Sequence, residues 1–229
     1  MDFNAELYAK YLNEIEFLAI KYSLEGLNIA VHCNLTKVFQ RTVEFLKNRN
    51  ERAFIVELGV SKEALINKCL WRAADLFNCD MLSIDVVDFS NACNYSRWYF
   101  RQDEDIHFSR KLSLFCMDQF IPPFIDVLFI DTDERYPHSL QEIVNWFPHL
   151  AKKALVFFRC TNLKKTLYYE DGRQHQAGWD NKRGVIRALE EYFERLFDET
   201  EIFEMTEKGW KIEHTPWGAG LTILERGNA

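Results

Sequence analysis

Residues 53–60 read AFIVELGV. The first four form an apolar run, and Glu57, Leu58 and Gly59 lead it into a segment with helical spacing. A short continuous apolar run closed by a glycine suits a strand buried on both faces, as at the centre of a parallel sheet. Gly59 permits a tight turn and a close approach to a ligand, because no Cβ stands in the way. An acid at the end of such a strand accepts hydrogen bonds from a ribose or an amino group. The turn continues as GVSKE. It is neither G-x-G-x-x-G nor G-x-x-x-x-G-K-[ST], which disfavours a dinucleotide or a nucleoside triphosphate.

The same pattern recurs down the chain. Residues 81–87, MLSIDVV, carry Asp85; residues 98–102 end at Gln102, just before Asp103; residues 125–130, IDVLFI, run into Asp131; and residues 154–158, ALVFF, give way to Arg159, Cys160, Thr161 and Asn162. Helical spacing is expected over 62–77, 136–150 and 183–197, with a short helix inside 106–120. Two further helices, over 3–24 and 36–47, precede the first strand. Residues 201–206 and 220–225 read as a closing antiparallel pair at the sheet edge. Alternating strands and helices predict an α/β fold: an open, mostly parallel seven-stranded sheet with an antiparallel last strand and helices on both faces. The chain divides into an N-terminal helical extension, 1–50, packed on a core domain, 51–229.

Ligands of such sheets bind outside the carboxyl ends of the strands. Glu57, Asp85, Asp103, Asp131 and Cys160 all fall at expected carboxyl ends and define one rim. An acidic rim suits a phosphate-free, cationic nucleoside better than a nucleotide. The polar stretch 163–182 is long enough to serve as a lid. Its Tyr168, Tyr169, His175 and Trp179 either line an acceptor pocket or pack the loop on itself.

Composition narrows the class of partner. The chain has 229 residues, a formal net charge of −7 and 48% hydrophobic residues. That acidity argues against nucleic-acid and anionic-membrane binding. No apolar stretch is long enough to span a bilayer. Residues 1–14 lack the apolar core of a signal peptide, so a cytoplasmic location is expected. The six cysteines show no CxxC pair and read as free thiols.

The order VELGV, SIDV, DVLFIDTD and ALVFF resembles class I S-adenosylmethionine-dependent methyltransferases, whose sheet is Rossmann-like. The closer resemblance is to the small-molecule branch that includes the cephalosporin-biosynthesis and macrolide-sugar O-methyltransferases. GVIRALEEYF (184–193) and GAGLTILER (218–226) also look like that branch's closing helix and last strand. The resemblance implies S-adenosyl-L-methionine as cofactor. Glu57, Gly59 and Ser61 would surround its methionine part, Asp85 its ribose hydroxyls, and Gln102 and Asp103 its adenine. It further implies that Asp131 opens a loop where metal-dependent relatives hold magnesium, with Asp133 the other available oxygen ligand. Those relatives carry an acid after strand five. This chain reads FFRCTN there, and Arg159 and Cys160 disfavour Mg2+.

The reaction so implied is methylation of a small hydroxylated metabolite, such as a secondary metabolite or sugar. Glu134 or His138 would act as base beside Asp131, with Arg159, Tyr168 and Trp179 meeting the acceptor. Where relatives have Lys or His three residues after the acid, this chain has Glu134. Two rivals stand beside that reading. One is a catalytically degenerate relative that binds cofactor or metabolite and acts through a partner. The other is a nicotinamide oxidoreductase, which the missing glycine fingerprint disfavours. A homo-oligomer through the N-terminal helices is a further expectation.

Overall fold

Near-continuous burial along four central strands, on both faces of the sheet, fixes the architecture. In a computed structural model, residues 3–24, 29–60, 64–85, 106–110, 125–162, 167–168, 174–175 and 183–227 are described. Two helices, α1 (Ala5–Leu24) and α2 (Ile29–Lys47), lead into β1 (Phe54–Leu58). Then follow α3 (Leu65–Phe77), β2 (Asp80–Asp85), β3 (Ile106–Arg110), β4 (Ile125–Ile130), α4 (Tyr136–Trp146) and β5 (Leu150–Arg159). A small hairpin, β6 (Leu167–Tyr168) and β7 (Gln174–His175), precedes α5 (Gly184–Phe193). The chain closes with β8 (Phe203–Glu207), β9 (Trp210–Thr215) and β10 (Leu221–Arg226).

The main sheet has the order β3-β2-β1-β4-β5-β10-β9-β8. β1 to β5 pair in parallel, and β10 runs antiparallel to both β5 and β9. The parallel sheet with an antiparallel last strand is therefore present. An eighth strand joins it: β9 lies between the two segments expected to pair with one another. Its sequence, WKIEHT, alternates buried Trp210, Ile212 and His214 with more exposed residues. Lys208 (φ 47°) and Gly209 (φ 78°) close the β8–β9 hairpin as a two-residue turn with both φ positive.

The third strand is also corrected. It is β3 at Ile106–Arg110, where a helix was expected, and 98–102 lies outside the described residues. Its register pairs Asp85 with Arg110, so Arg110, not Asp103, ends it.

The two faces of the sheet bury separate clusters. Ile55, Val127, Phe129, Leu155, Phe157 and Ile223 point toward α1, α2 and α3, where they meet Ile15, Val38, Phe39 and Leu70. Val56, Leu58, Leu128, Ile130, Val156 and Phe158 point the other way, onto Ile143, Trp146, Ile186 and Leu189 of α4 and α5. Pro137 sits in the first turn of α4, where its missing N–H costs nothing. α2 is also tied by charge, since Arg41 Nη2 donates to Glu213 Oε1 at 2.9 Å and to Glu225 Oε2 at 2.7 Å.

Candidate active site

Strand order reverses between β1 and β4, and a parallel sheet opens a crevice at such a switch point. Gly59 closes β1 with φ +83°, and its N–H donates to Ile84 O at 2.8 Å. The Asp131 N–H donates back to Leu58 O at 2.8 Å. A Cβ on Gly59 would lie 2.0 Å from the Asp131 carbonyl oxygen. The glycine is thus required by both its φ and the close approach of the β4 loop. The next N–H, of Val60, donates to Asp85 Oδ2 at 2.6 Å, so the acid that ends β2 holds the turn that ends β1.

Glu57 supports this turn from beneath. It is 1% exposed, and its Oε2 accepts from Asn67 Nδ2 at 2.7 Å and from Ser83 Oγ at 2.6 Å. Burial pushes its carboxyl up to about 7; the two hydrogen bonds oppose that shift, and the charges of Asp131 and Asp85 add to it. Asn67 and Ser83 were not singled out in the sequence. The available signal was a polar Asn67 on the buried stripe of α3.

Across the crevice, β4 and β5 end in an ion pair. Arg159 Nη1 donates to Asp131 Oδ2 at 2.6 Å. Asp131's charge raises the guanidinium pKa further against the opposing effect of burial. Cys160, at φ +60°, has its sulfur 3.8 Å from Asp131 Oδ1 and a thiol hydrogen bond to Glu134. Burial first, then the charges of Asp131 and Glu134, push that thiol well above its ordinary range, and it stays protonated. Asp131, Glu134, Arg159 and Cys160 form one cluster.

His138 belongs to a second group under the same loop. Its Nε2 lies 3.2 Å from Glu142 Oε1, and Glu142 also accepts from Thr132 Oγ1 at 2.8 Å. Glu142 is fully buried. Burial pulls the His138 pKa down, but the Glu142 hydrogen bond and charge, with Asp133, bring it above its ordinary value. Asp133 is held by Arg135, whose Nε donates to both carboxylate oxygens at 2.8 Å and whose N–H donates to Oδ1 at 3.0 Å. These bonds outweigh burial and keep Asp133 below the usual carboxylate range.

The two carboxylates named as magnesium ligands thus each carry a guanidinium, and a thiol stands beside one of them. Among the described residues, no group of three or more His, Cys, Asp or Glu is gathered to hold a metal. This donor set does not fit magnesium, which wants an oxygen shell free of adjacent cations. Asn162 turns away to the β9–β10 loop, donating from Nδ2 to Pro216 O at 3.1 Å. Ser61, Gln102, Asp103, Tyr169 and Trp179 lie outside the described residues, as do the side chains of Tyr168 and His175.

No protein-family model matches the chain, and no curated protein matches it by sequence. Solved structures do. A Staphylococcus aureus protein described as a caffeoyl-CoA O-methyltransferase aligns at a TM-score of 0.59 and 14% identity, over 93% of this chain and 92% of that one. The chain has a methyltransferase fold. The S-adenosylhomocysteine-bound methyltransferase PaMTH1 of Podospora anserina aligns at 0.57 and 9% identity, over 99% and 98% of the two chains. A Clostridium thermocellum protein described as an rRNA methylase aligns at 0.51 and 12%, over 83% and 96%. At these identities the likeness carries the fold and leaves chemistry to the residues.

Proposed function

We propose that this methyltransferase-fold chain is an S-adenosylmethionine-dependent O-methyltransferase acting on a small hydroxylated metabolite without a catalytic metal. The observation that carries the reading is the Asp131–Arg159–Glu134 cluster facing the Gly59 turn across the switch point. The cofactor half fits in kind: an acid ends β2, a glycine turn ends β1, and neither phosphate-binding pattern is present. When bound, S-adenosylmethionine supplies a methyl carbon whose bond to sulfur breaks as an acceptor oxygen bonds to it, the electron pair staying on sulfur.

This chain's residues then have three tasks. Glu134, which shares the cluster of Asp131, Arg159 and Cys160, accepts the acceptor's hydroxyl proton. Arg159, fixed by Asp131, offers its remaining N–H donors to the oxygen as charge develops there. Gly59, Val60 and Asp85 shape the cofactor crevice. His138 supports the loop through Glu142 and is not assigned as base.

The fold neighbours include proteins described by caffeoyl-CoA and by rRNA, so fold does not choose the acceptor. A net charge of −7 and an acidic rim oppose a polyanion and favour a small acceptor. No described helix is long and apolar enough to cross a membrane.

The test is calorimetry with S-adenosylmethionine and S-adenosylhomocysteine, followed by turnover on a panel of hydroxylated acceptors in EDTA. Binding, EDTA-resistant methylation and its loss in Glu134→Gln are expected. Failure to bind either nucleoside overturns the reading. Binding without any turnover would favour a cofactor-binding protein acting through a partner.

A further inference from the structure

Acids at both ends of β4 are matched by guanidinium groups: Asp126 by Arg49, Asp131 by Arg159 and Asp133 by Arg135. Glu57 is held differently. Among the described residues it takes hydrogen bonds from neutral groups only, Asn67 Nδ2 at 2.7 Å and Ser83 Oγ at 2.6 Å, both to Oε2. Asn67 Nδ2 also donates to Ser83 Oγ at 2.8 Å, which closes the three into one cluster. None of the three is more than 1% exposed. Register brings them together, since β1 pairs Glu57 with Ser83 of β2 and Asn67 is buried in α3.

Such a cluster can hold the carboxyl in either protonation state. A serine hydroxyl donates to a carboxylate and accepts from a carboxylic acid, whereas a guanidinium has no acceptor to offer. Asn67 Oδ1 is buried and has no hydrogen-bond partner among the described residues. With the carboxyl ionised the cluster is therefore short of a donor, and a buried polar atom left open is costly. An added proton on Glu57 raises the donor count and removes a buried charge that no cation offsets.

The charges around Glu57 face it from two neighbouring strands. Burial first, with Asp131 after β4 and Asp85 at the end of β2 adding to it, holds the carboxyl at about 7 against the pull of Asn67 and Ser83. Phe129, opposite Glu57 on β4, carries no charge. On α3 the titratable neighbour is Cys69, whose thiol burial pushes up to about 12; the charges of Lys68 and Arg72 reach that thiol. Asp85 and Asp131 are also the acids that flank the Gly59 turn, so a cation bound in that crevice enters the field that Glu57 feels. Such a cation offsets their repulsion, and by linkage it binds more tightly once Glu57 is ionised. We infer that Glu57 is a specificity-determining residue that separates the charged methyl donor from its spent product. A sulfonium binds with release of the Glu57 proton to solvent, and the neutral thioether left after methyl transfer lets Glu57 take a proton back. Glu57, buried beneath the turn, acts by charge rather than by contact. The inference rests on the O-methyltransferase reading for the identity of the ligand.

Calorimetric titration of the full chain in phosphate and in imidazole, whose ionisation enthalpies differ, counts the protons released on binding. At pH 7, S-adenosylmethionine should release about half a proton more than S-adenosylhomocysteine. E57Q has no proton to give there, so the difference between the two nucleosides should fall away, while each ligand's own amino group titrates alike in both chains. The preference for S-adenosylmethionine should grow about tenfold from pH 5.5 to pH 8 in wild type and change less than about twofold in E57Q. Should E57Q fail to fold, the proton counts and the pH dependence of wild type decide alone. Equal proton release by the two nucleosides, a preference that does not change with pH, or an E57Q chain that keeps the wild-type difference overturns the inference and leaves the methyltransferase reading standing. Binding of neither nucleoside overturns both.

Discussion

Arg159 Nη1 donates to Asp131 Oδ2 at 2.6 Å, and this bond joins the carboxyl ends of two neighbouring parallel strands. The side chains are 27% and 14% exposed, so the pair is only partly screened by water. Removing the cation takes away the charge that offsets Asp131 beside Glu134. Arg159→Met, which keeps most of the apolar stem, should cost about 2 kcal/mol of stability, below the range for a fully buried pair. Methyl transfer should fall about 10- to 100-fold in the same variant, on the scale of losing one donor to a developing oxyanion. Denaturant titration and initial rates read the two effects. A wild-type activity abolished by EDTA and restored by magnesium would reverse the assignment of Arg159.

Glu57 makes a pH prediction. Its folded pKa is raised from an ordinary 4.5 to about 7, so the folded state holds the proton more tightly than the unfolded chain. That contribution is fully present below pH 4.5 and is lost as pH rises through 7. Glu57→Gln keeps an acceptor oxygen for Asn67 and Ser83 without burying a charge. It should melt close to wild type at pH 5 and above it by several degrees at pH 8, as expected for about 2 kcal/mol in a chain of this size. Melting curves whose difference does not change with pH would remove the buried charge from the argument.

Two glycines with positive φ separate conformational strain from steric exclusion. A Cβ at Gly209 meets nothing within 4 Å, whereas one at Gly59 meets the Asp131 carbonyl oxygen at 2.0 Å. Gly209→Ala should therefore cost about 1 kcal/mol for its left-handed φ alone. Gly59→Ala should cost about 3 kcal/mol or more and eliminate S-adenosylhomocysteine binding. Comparable unfolding midpoints for the two variants would show that the β4 loop yields to the added methyl.

His138 should matter more for stability than for rate. Its pKa is raised in the fold, so the stabilisation from Glu142 and Asp133 is complete below the unfolded value of 6.5 and fades as pH rises through the folded one. His138→Ala should destabilise the chain more at pH 6 than at pH 9, with methyl transfer kept within a few-fold. A hundredfold loss of kcat with unchanged stability would make His138 the base.

The central sheet was legible because β1, β4 and β5 are uninterrupted apolar runs with acids or polar residues at their ends. β9 was less visible, although Trp210, Ile212 and His214 alternate as a half-buried strand should. Lys211, Glu213 and the nearby glycines make the segment read as a connection. His214 tolerates burial because Glu199 O lies 3.0 Å from its Nε2 and Thr222 Oγ1 lies 2.8 Å from its Nδ1. Burial then lowers its pKa. Such long-range satisfaction leaves no local mark. That Asp131, Glu134 and Arg159 lie close together was legible from their places just after apolar runs. The pairings around them were not, because Arg135 on Asp133 and Glu142 on His138 are consequences of loop conformation. The third strand was misplaced because IHFSR carries only two strongly apolar residues and is recognisable chiefly by its register on β2.

The N-terminal helices share with α3 the covering of one face of the sheet. Val38, Phe39 and Leu46 of α2 cover the same apolar face that β1, β4, β5 and β10 present, and Arg41 and Arg49 pin that helix to Glu213, Glu225 and Asp126. A chain begun at residue 51 would keep every rim carboxylate named above yet leave that greasy sheet surface open to water. Such an open-faced fragment is built to stick to its own kind. The first fifty residues, which carry none of the proposed chemistry, keep that sheet surface out of water.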